Sequence, residues 1–149
     1  MNRKEQALER FRGDCNCAQS VLSVFAAKYG LSENDAFRIG WPFGGGMGRL
    51  QKTCGVLTGA YMAIGLIWGA KRPETDEEKE KVYQIVREFT ARFEARHGAT
   101  DCLTLLGRDI STPEGRQKAK DDGLIAGRCE KYVGDAVEIL GQLIAAENK

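Results

Sequence analysis

The sequence predicts an all-α single domain spanning residues 1–149, a compact bundle of five to seven helices around one buried helix at about 54–69. Three observations predict it. Apolar residues recur at helical spacing along most of the chain, capping residues stand before several of those runs, and no stretch alternates as a strand would. At 149 residues the chain can bury a sizeable core without a second domain, and no repeat or low-complexity tract divides it.

The elements follow in order. Residues 2–12 form a short helix with Leu8 and Phe11 on its apolar edge, ended by Gly13-Asp14. Asn16 with Gln19 makes a capping pair that opens a helix from Cys17 to Tyr29, with Ala18, Val21, Leu22, Phe25 and Tyr29 on one face and Gly30 as its stop. Ser32 and Asp35 bracket a further helical turn carrying Ala36, Phe37 and Ile39. Gly40-Trp41-Pro42 then leads into a loop with glycine at 44, 45, 46 and 48, a backbone able to take positive φ and to pass close to another group.

Thr53 stands at the expected N-cap of the central helix, which makes Cys54 its first residue, near unpaired N–H groups that favour thiolate over thiol. From Cys54 to Gly69 no side chain is charged, a length that suits a buried helix better than a membrane span. Gly55, Gly59 and Ala63, four apart, give it a smooth stripe for close packing. Thr75 with Glu78 caps the longest helix, about 76–97, whose buried face is Val82, Ile85, Val86, Phe89 and Phe93; its mixed charges read as a solvated surface. His97 suits the last turn of that helix electrostatically. Asp101 caps a short helix beginning at Cys102 and ended by Gly107, Thr112-Pro113 opens a polar helix over 113–121, and Cys129 precedes a final helix with Val133, Ala136, Val137, Leu140 and Ile144 inward.

Composition narrows the function. With 22 basic and 21 acidic residues the chain offers no field for nucleic acid or an anionic membrane. The polar start, MNRKEQALERFRG, is neither a signal peptide nor an anchor, so a cytoplasmic location without membrane insertion is expected. There five cysteines argue for thiol or metal chemistry rather than a disulfide framework. A single histidine removes most zinc hydrolases, makes Cys-His and Ser-His nucleophiles a poor fit, and no hydrolytic or nucleotide-binding motif is present, so enzyme activity stays open.

Cys17, Cys54, Cys102 and Cys129 lie 37, 48 and 27 positions apart, unlike the local spacings of zinc fingers or bacterial ferredoxins. Three of them follow a capping residue and the fourth lies close to a helix start. Helix starts converging on one point would favour a group of thiolates, and four thiolates need a cation. The loop glycines Gly44, Gly45, Gly46 and Gly48 beside Cys54 could offer backbone N–H groups to sulfur and so bind a cofactor. The opposing reading is that free cysteines pack as small hydrophobes.

Several segments carry a resemblance: Asn16-Cys17-Ala18-Gln19-Ser20-Val21, Phe43-Gly44-Gly45-Gly46-Met47-Gly48, Cys54-Gly55-Val56-Leu57-Thr58-Gly59-Ala60, Asp101-Cys102 and the late Cys129. Together, from Phe11 to about Leu143, they resemble the C-GCAxxG-C-C family of putative redox-active proteins. The resemblance implies a small, mostly helical protein whose cysteines hold an iron–sulfur cluster or do redox chemistry. Where the family name has glycines, this chain has Asn16 and Val21.

Three readings follow. In the first, Cys17, Cys54, Cys102 and Cys129 are metal ligands of an iron–sulfur cluster, with 2Fe-2S the smaller group that four thiolates satisfy, and electrons pass to an unknown redox partner protein. In the second, Cys15 and Cys17, with one partner among the other cysteines, are the redox-active residues of a metal-free thiol–disulfide protein or sensor. In the third, the cysteines hold a redox-silent structural zinc in an interaction module. A homo-oligomer is compatible with all three.

Overall fold

Asn2, Asn16, Ser32, Thr75, Asp101 and Thr112 each accept a hydrogen bond from the backbone N–H three residues on, and a helix begins directly after each. The computed structural model describes residues 1–69 and 71–147. Among them there are eight α-helices: α1 Arg3–Arg12, α2 Cys17–Ala26, α3 Glu33–Gly40, α4 Gly55–Trp68, α5 Asp76–His97, α6 Cys102–Leu106, α7 Pro113–Asp121 and α8 Glu130–Glu147. The fold is all-α, and no strand occurs among the described residues; the nearest approach to a sheet is one isolated antiparallel bridge between Thr53 and Asp101.

The apolar helix α4 lies at the centre, with Val56, Leu57, Ala60, Ala63 and Ile64 fully buried. Around it pack Val21, Leu22 and Phe25 of α2, Phe89 and Phe93 of α5, and Val133, Ile139 and Leu140 of α8. The small-residue stripe does what its spacing suggests. An added Cβ at Gly55 would stand 3.0 Å from the Ala18 nitrogen, and one at Gly59 would stand 2.7 Å from the Ala18 carbonyl oxygen, so α2 and α4 meet backbone to backbone. Helix α1 is fastened across α8 and α3 by ion pairs, Lys4 to Glu138 at 3.2 Å, Arg12 to Glu130 at 2.7 Å, and Arg10 to Glu33. On α5 the charges face solvent as expected, with Arg92 against Glu88 at 2.9 Å. No helix of the described residues is long and apolar enough to cross a membrane.

Beyond the helix count, which is eight where five to seven are expected, three features depart from the sequence-based expectation. Helix α4 starts one residue late: Cys54 is itself the N-cap, with extended φ and ψ of −59° and 140°, and Gly55 is the first helical residue. Thr53 is taken up elsewhere, because the chain on either side of it pairs with the start of α6. The Cys54 N–H donates to Thr100 O at 2.9 Å and the Cys102 N–H to Lys52 O at 2.6 Å. The second helix closes early, tightening into a 3₁₀ turn over Ala27–Tyr29 before Gly30 takes a left-handed φ of 91°. Third, Cys129 directly precedes α8, as expected, but no free helix start lies there. Helical structure begins at Leu124, widens into a π segment over Ile125–Cys129 and runs straight on into α8. A π turn re-aims the side chains that follow it, a device common at functional sites.

Candidate functional site

Cys17, at the first position of α2, is set by the reciprocal cap of Asn16. The Asn16 side chain accepts from the Gln19 N–H at 2.9 Å, and the Gln19 side chain accepts from the Asn16 N–H at 2.8 Å. Cys102 is set by Asp101, whose carboxylate accepts from the Thr104 N–H at 2.9 Å. Cys54 is held through the 52–54 pairing with 100–102, and Cys129 by the π segment. These four residues, from four separate parts of the chain, line one cavity of about 320 Å³ together with Gly45, Gly46, Gly55, Leu105, Ile110 and Tyr132.

Electrostatics sets the four thiols apart. The Cys17 thiol faces both Cys129 and Cys54; neither contact is a strict hydrogen bond, but these neighbours and burial drive its pKa well above the ordinary thiol value. Cys54 moves the other way. Its sulfur is favoured as thiolate by the Cys17 S–H first and by the Val56 N–H of α4, against the cost of burial. The Val56 contact also falls short of strict N-cap geometry, so it acts as the field of the helix start rather than as a full cap. Burial, with the charge of Cys54 nearby, pushes Cys102 up to about 12. No three of the described His, Cys, Asp or Glu side chains are grouped closely enough to surround a single ion.

The glycine loop closes one side of this cavity. Residues 45 to 49 all carry positive φ, including Met47 at 67° and Arg49 at 61°, and Gln51 follows at 57°. Such φ costs a non-glycine residue roughly 1–2 kcal/mol and persists only where surrounding bonds enforce it. Here the Gln51 N–H donates to Gly45 O and the Lys52 N–H to Gly46 O, both at 3.0 Å. Among the described residues nothing accepts from the N–H of Gly45 or of Gly46, and Gly46 is buried. Gly44 and Gly48 do not line the cavity; Gly44 leaves room for Asn16, whose Nδ2 would stand 2.8 Å from a Cβ there.

Cys15 is placed apart. Two residues before Cys17, it lines a neighbouring cavity with Trp41, Pro42, Gly44 and Gly48, and burial raises its pKa. His97 also lies outside the cysteine cavity; its Nε2 is 2.9 Å from Asp135 Oδ2, a hydrogen-bonding role at the end of α5.

Sequence reasoning missed two residues of the site. Tyr132 follows Cys129 by three positions, a helical spacing that puts both on one face, and its hydroxyl donates to Leu105 O at 2.7 Å. Gln51 carried no sequence signal. It is 8% exposed, donates to Arg108 O at 2.8 Å and toward Cys102 Sγ at 4.0 Å, and accepts from the Ile110 N–H at 3.0 Å. Gln51→Ala strands both backbone groups and is expected to cost about 2 kcal/mol, read from the midpoint of urea unfolding at unchanged m.

Four cysteines from separate parts of the chain thus line one cavity, with the glycine loop against them. A family model described as "Putative redox-active protein (C_GCAxxG_C_C)" matches residues 15–143. The chain belongs to this family. No curated protein and no solved structure matches the chain. In C_GCAxxG_C_C terms, the match runs from Cys15 through α8, so all five cysteines and the glycine loop fall within it. Ala18, next to Cys17, is the residue against which Gly55 and Gly59 of α4 close.

Proposed function

We propose that Cys17, Cys54, Cys102 and Cys129 hold an iron–sulfur cluster and that the protein carries electrons to a redox partner. The observation that carries this reading is the donor set: four thiols line one cavity whose wall includes no carboxylate and no imidazole. Soft thiolates of this kind select iron–sulfur clusters or zinc over hard cations.

Two further features fit the group. Neighbouring sulfurs and burial hold Cys17 and Cys102 as neutral thiols, and a bound cation reverses that balance by stabilising each thiolate directly. The buried Gly46 N–H and its neighbour Gly45 N–H lack acceptors in the fold, and cluster or cysteine sulfur is the acceptor such groups serve. A bound cluster supplies one-electron transfer between ferric and ferrous iron. The chain's own contribution is to gather the ligands, keep bulk water off them with Leu105, Ile110 and Tyr132, and tune the potential through the glycine N–H groups.

The facing thiols of Cys17 and Cys54 favour a second reading, a thiol–disulfide couple between those two residues, releasing two protons and two electrons on oxidation. The absorption spectrum of anaerobically purified protein, with iron and zinc analysis, separates the two. Expected is visible sulfur-to-iron absorption, with iron, that dithionite bleaches. A colourless protein holding zinc or no metal would overturn the cluster.

A further inference from the structure

Three cations line the cysteine cavity, and no acidic side chain lines it: Arg49 on the glycine loop, and Arg116 and Lys120 one turn apart on α7. Among the described residues none of the three lies within 4.0 Å of a carboxylate. Elsewhere on this chain arginines find acidic partners, as Arg10, Arg12, Arg92 and Arg108 do. For a chain of 22 basic and 21 acidic residues, three cations around one cavity, none within 4.0 Å of a carboxylate among the described residues, are a local concentration of charge.

Two of the three are held in place. Arg116 Nη1 donates to Ile110 O at 3.2 Å. Arg49 has φ 61°, its N–H bound to Gly44 O at 3.1 Å, and its side chain lies across Gly45 so closely that a Cβ there would stand 2.8 Å from Arg49 Cγ. The loop thus keeps glycine where Arg49 crosses it. The remaining polar lining, Asn16 and Gln117, is neutral.

We propose that this cavity binds a small anion, a carboxylate or an oxyanion, and holds it beside the cysteine sulfurs. The proposal deepens the redox reading and rests on it for the anion's part as a reaction partner, while the binding needs only the chain's own cations. Cations on a low-dielectric wall focus their field into the cavity and concentrate anions there by tenfold or more.

Iodoacetate and iodoacetamide test it, since they are nearly the same size and differ by one negative charge. In each case the thiolate sulfur attacks the methylene carbon, a C–S bond forms, the C–I bond breaks and iodide leaves. Taking the ratio of the two rates at one cysteine cancels that cysteine's thiolate fraction, and the same cysteine in the urea-unfolded chain is the reference; Cys15 is not, because Arg49 lines its cavity too. In the reduced, metal-stripped full chain, peptide mapping is expected to show an iodoacetate-to-iodoacetamide ratio about tenfold higher at the cavity cysteines of the folded chain than in the unfolded chain. The ratio should fall to the unfolded-chain value in the triple variant Arg49→Gln, Arg116→Gln, Lys120→Gln. If stripping unfolds the chain, the loaded protein decides instead: at matched ionic strength acetate, and not acetamide, should raise its melting temperature, and only when the three cations are present. Equal ratios at the cavity cysteines in the folded and the unfolded chain, a ratio unmoved by the triple variant, or an acetate effect that survives it would overturn the proposal. An iron-free, redox-silent protein would remove the redox reading and leave the ratio intact; a redox-active protein with equal ratios would remove this proposal alone.

Discussion

Replacing Gly59 by leucine is expected to destabilise the protein by about 3 kcal/mol, the upper end of what overpacking costs. The site leaves nowhere to yield, because a Cβ at this position would stand 2.7 Å from the Ala18 carbonyl oxygen and 3.0 Å from its Cα. Those are backbone atoms of the first turn of α2, so relief requires the two helices to part. Parting them also moves Cys17, the residue before Ala18, away from Cys54, so the variant should lose metal affinity as well as stability. The comparison is Gly65 in the same helix, exposed and with nothing within 4 Å of an added Cβ. Gly65→Ala should stabilise by up to about 1 kcal/mol through helix propensity. Urea unfolding of both variants reads the contrast, and a wild-type midpoint for Gly59→Leu would contradict the packing.

Gly46→Ala should be nearly as damaging, and more specifically to the site. A Cβ there would stand 2.7 Å from Cys102 Cβ, Gln51 Cα and Lys52 N at once, on a residue whose φ is 69°. Strain and collision both fall on the contact between the loop and Cys102, so iron bound per chain is expected to drop at least tenfold, with the loss arising at that ligand. Gly48 is the control, since its φ of 60° carries the same backbone strain but an added Cβ meets nothing within 4 Å. Gly48→Ala should therefore cost about 1 kcal/mol and keep its iron. Equal iron content in the two variants would show that the loop does not set the site.

The sequence made most of the fold legible because its helices are bounded by local chemistry. Asn16, Thr75 and Asp101 cap through contacts three residues long, and an apolar run as unbroken as Val56 to Trp68 has few places to go but the core. What escaped was set by contacts distant in sequence. Cys54 became a cap rather than a first helical residue because residues 52–54 pair with 100–102, and no local rule announces a partner nearly fifty residues away. The π segment before α8 was likewise hidden, since Ile125–Cys129 has no composition that separates a π turn from an α turn. At the site, the cysteines could be singled out by type and by their helix starts, whereas Gln51 is an ordinary polar residue made important by reaching Arg108 and Ile110. Asn16 at the N-cap supplies a side-chain acceptor, and its Nδ2 ties α2 to the turn before the glycine loop by donating to Trp41 O at 3.0 Å.

The central claim is that four sulfurs share one bound group while the fifth does not, and thiol protection tests it most directly. Anaerobic, metal-loaded protein is treated with a thiol-alkylating reagent without denaturant, and each cysteine is then read by peptide mapping, before and after removal of the metal with a chelator. The account predicts that Cys15 alone is modified in the loaded protein and that Cys17, Cys54, Cys102 and Cys129 become reactive together once the metal is gone. If any one of those four labels as fast with metal bound as without it, that residue is not a ligand and the four-cysteine site is contradicted.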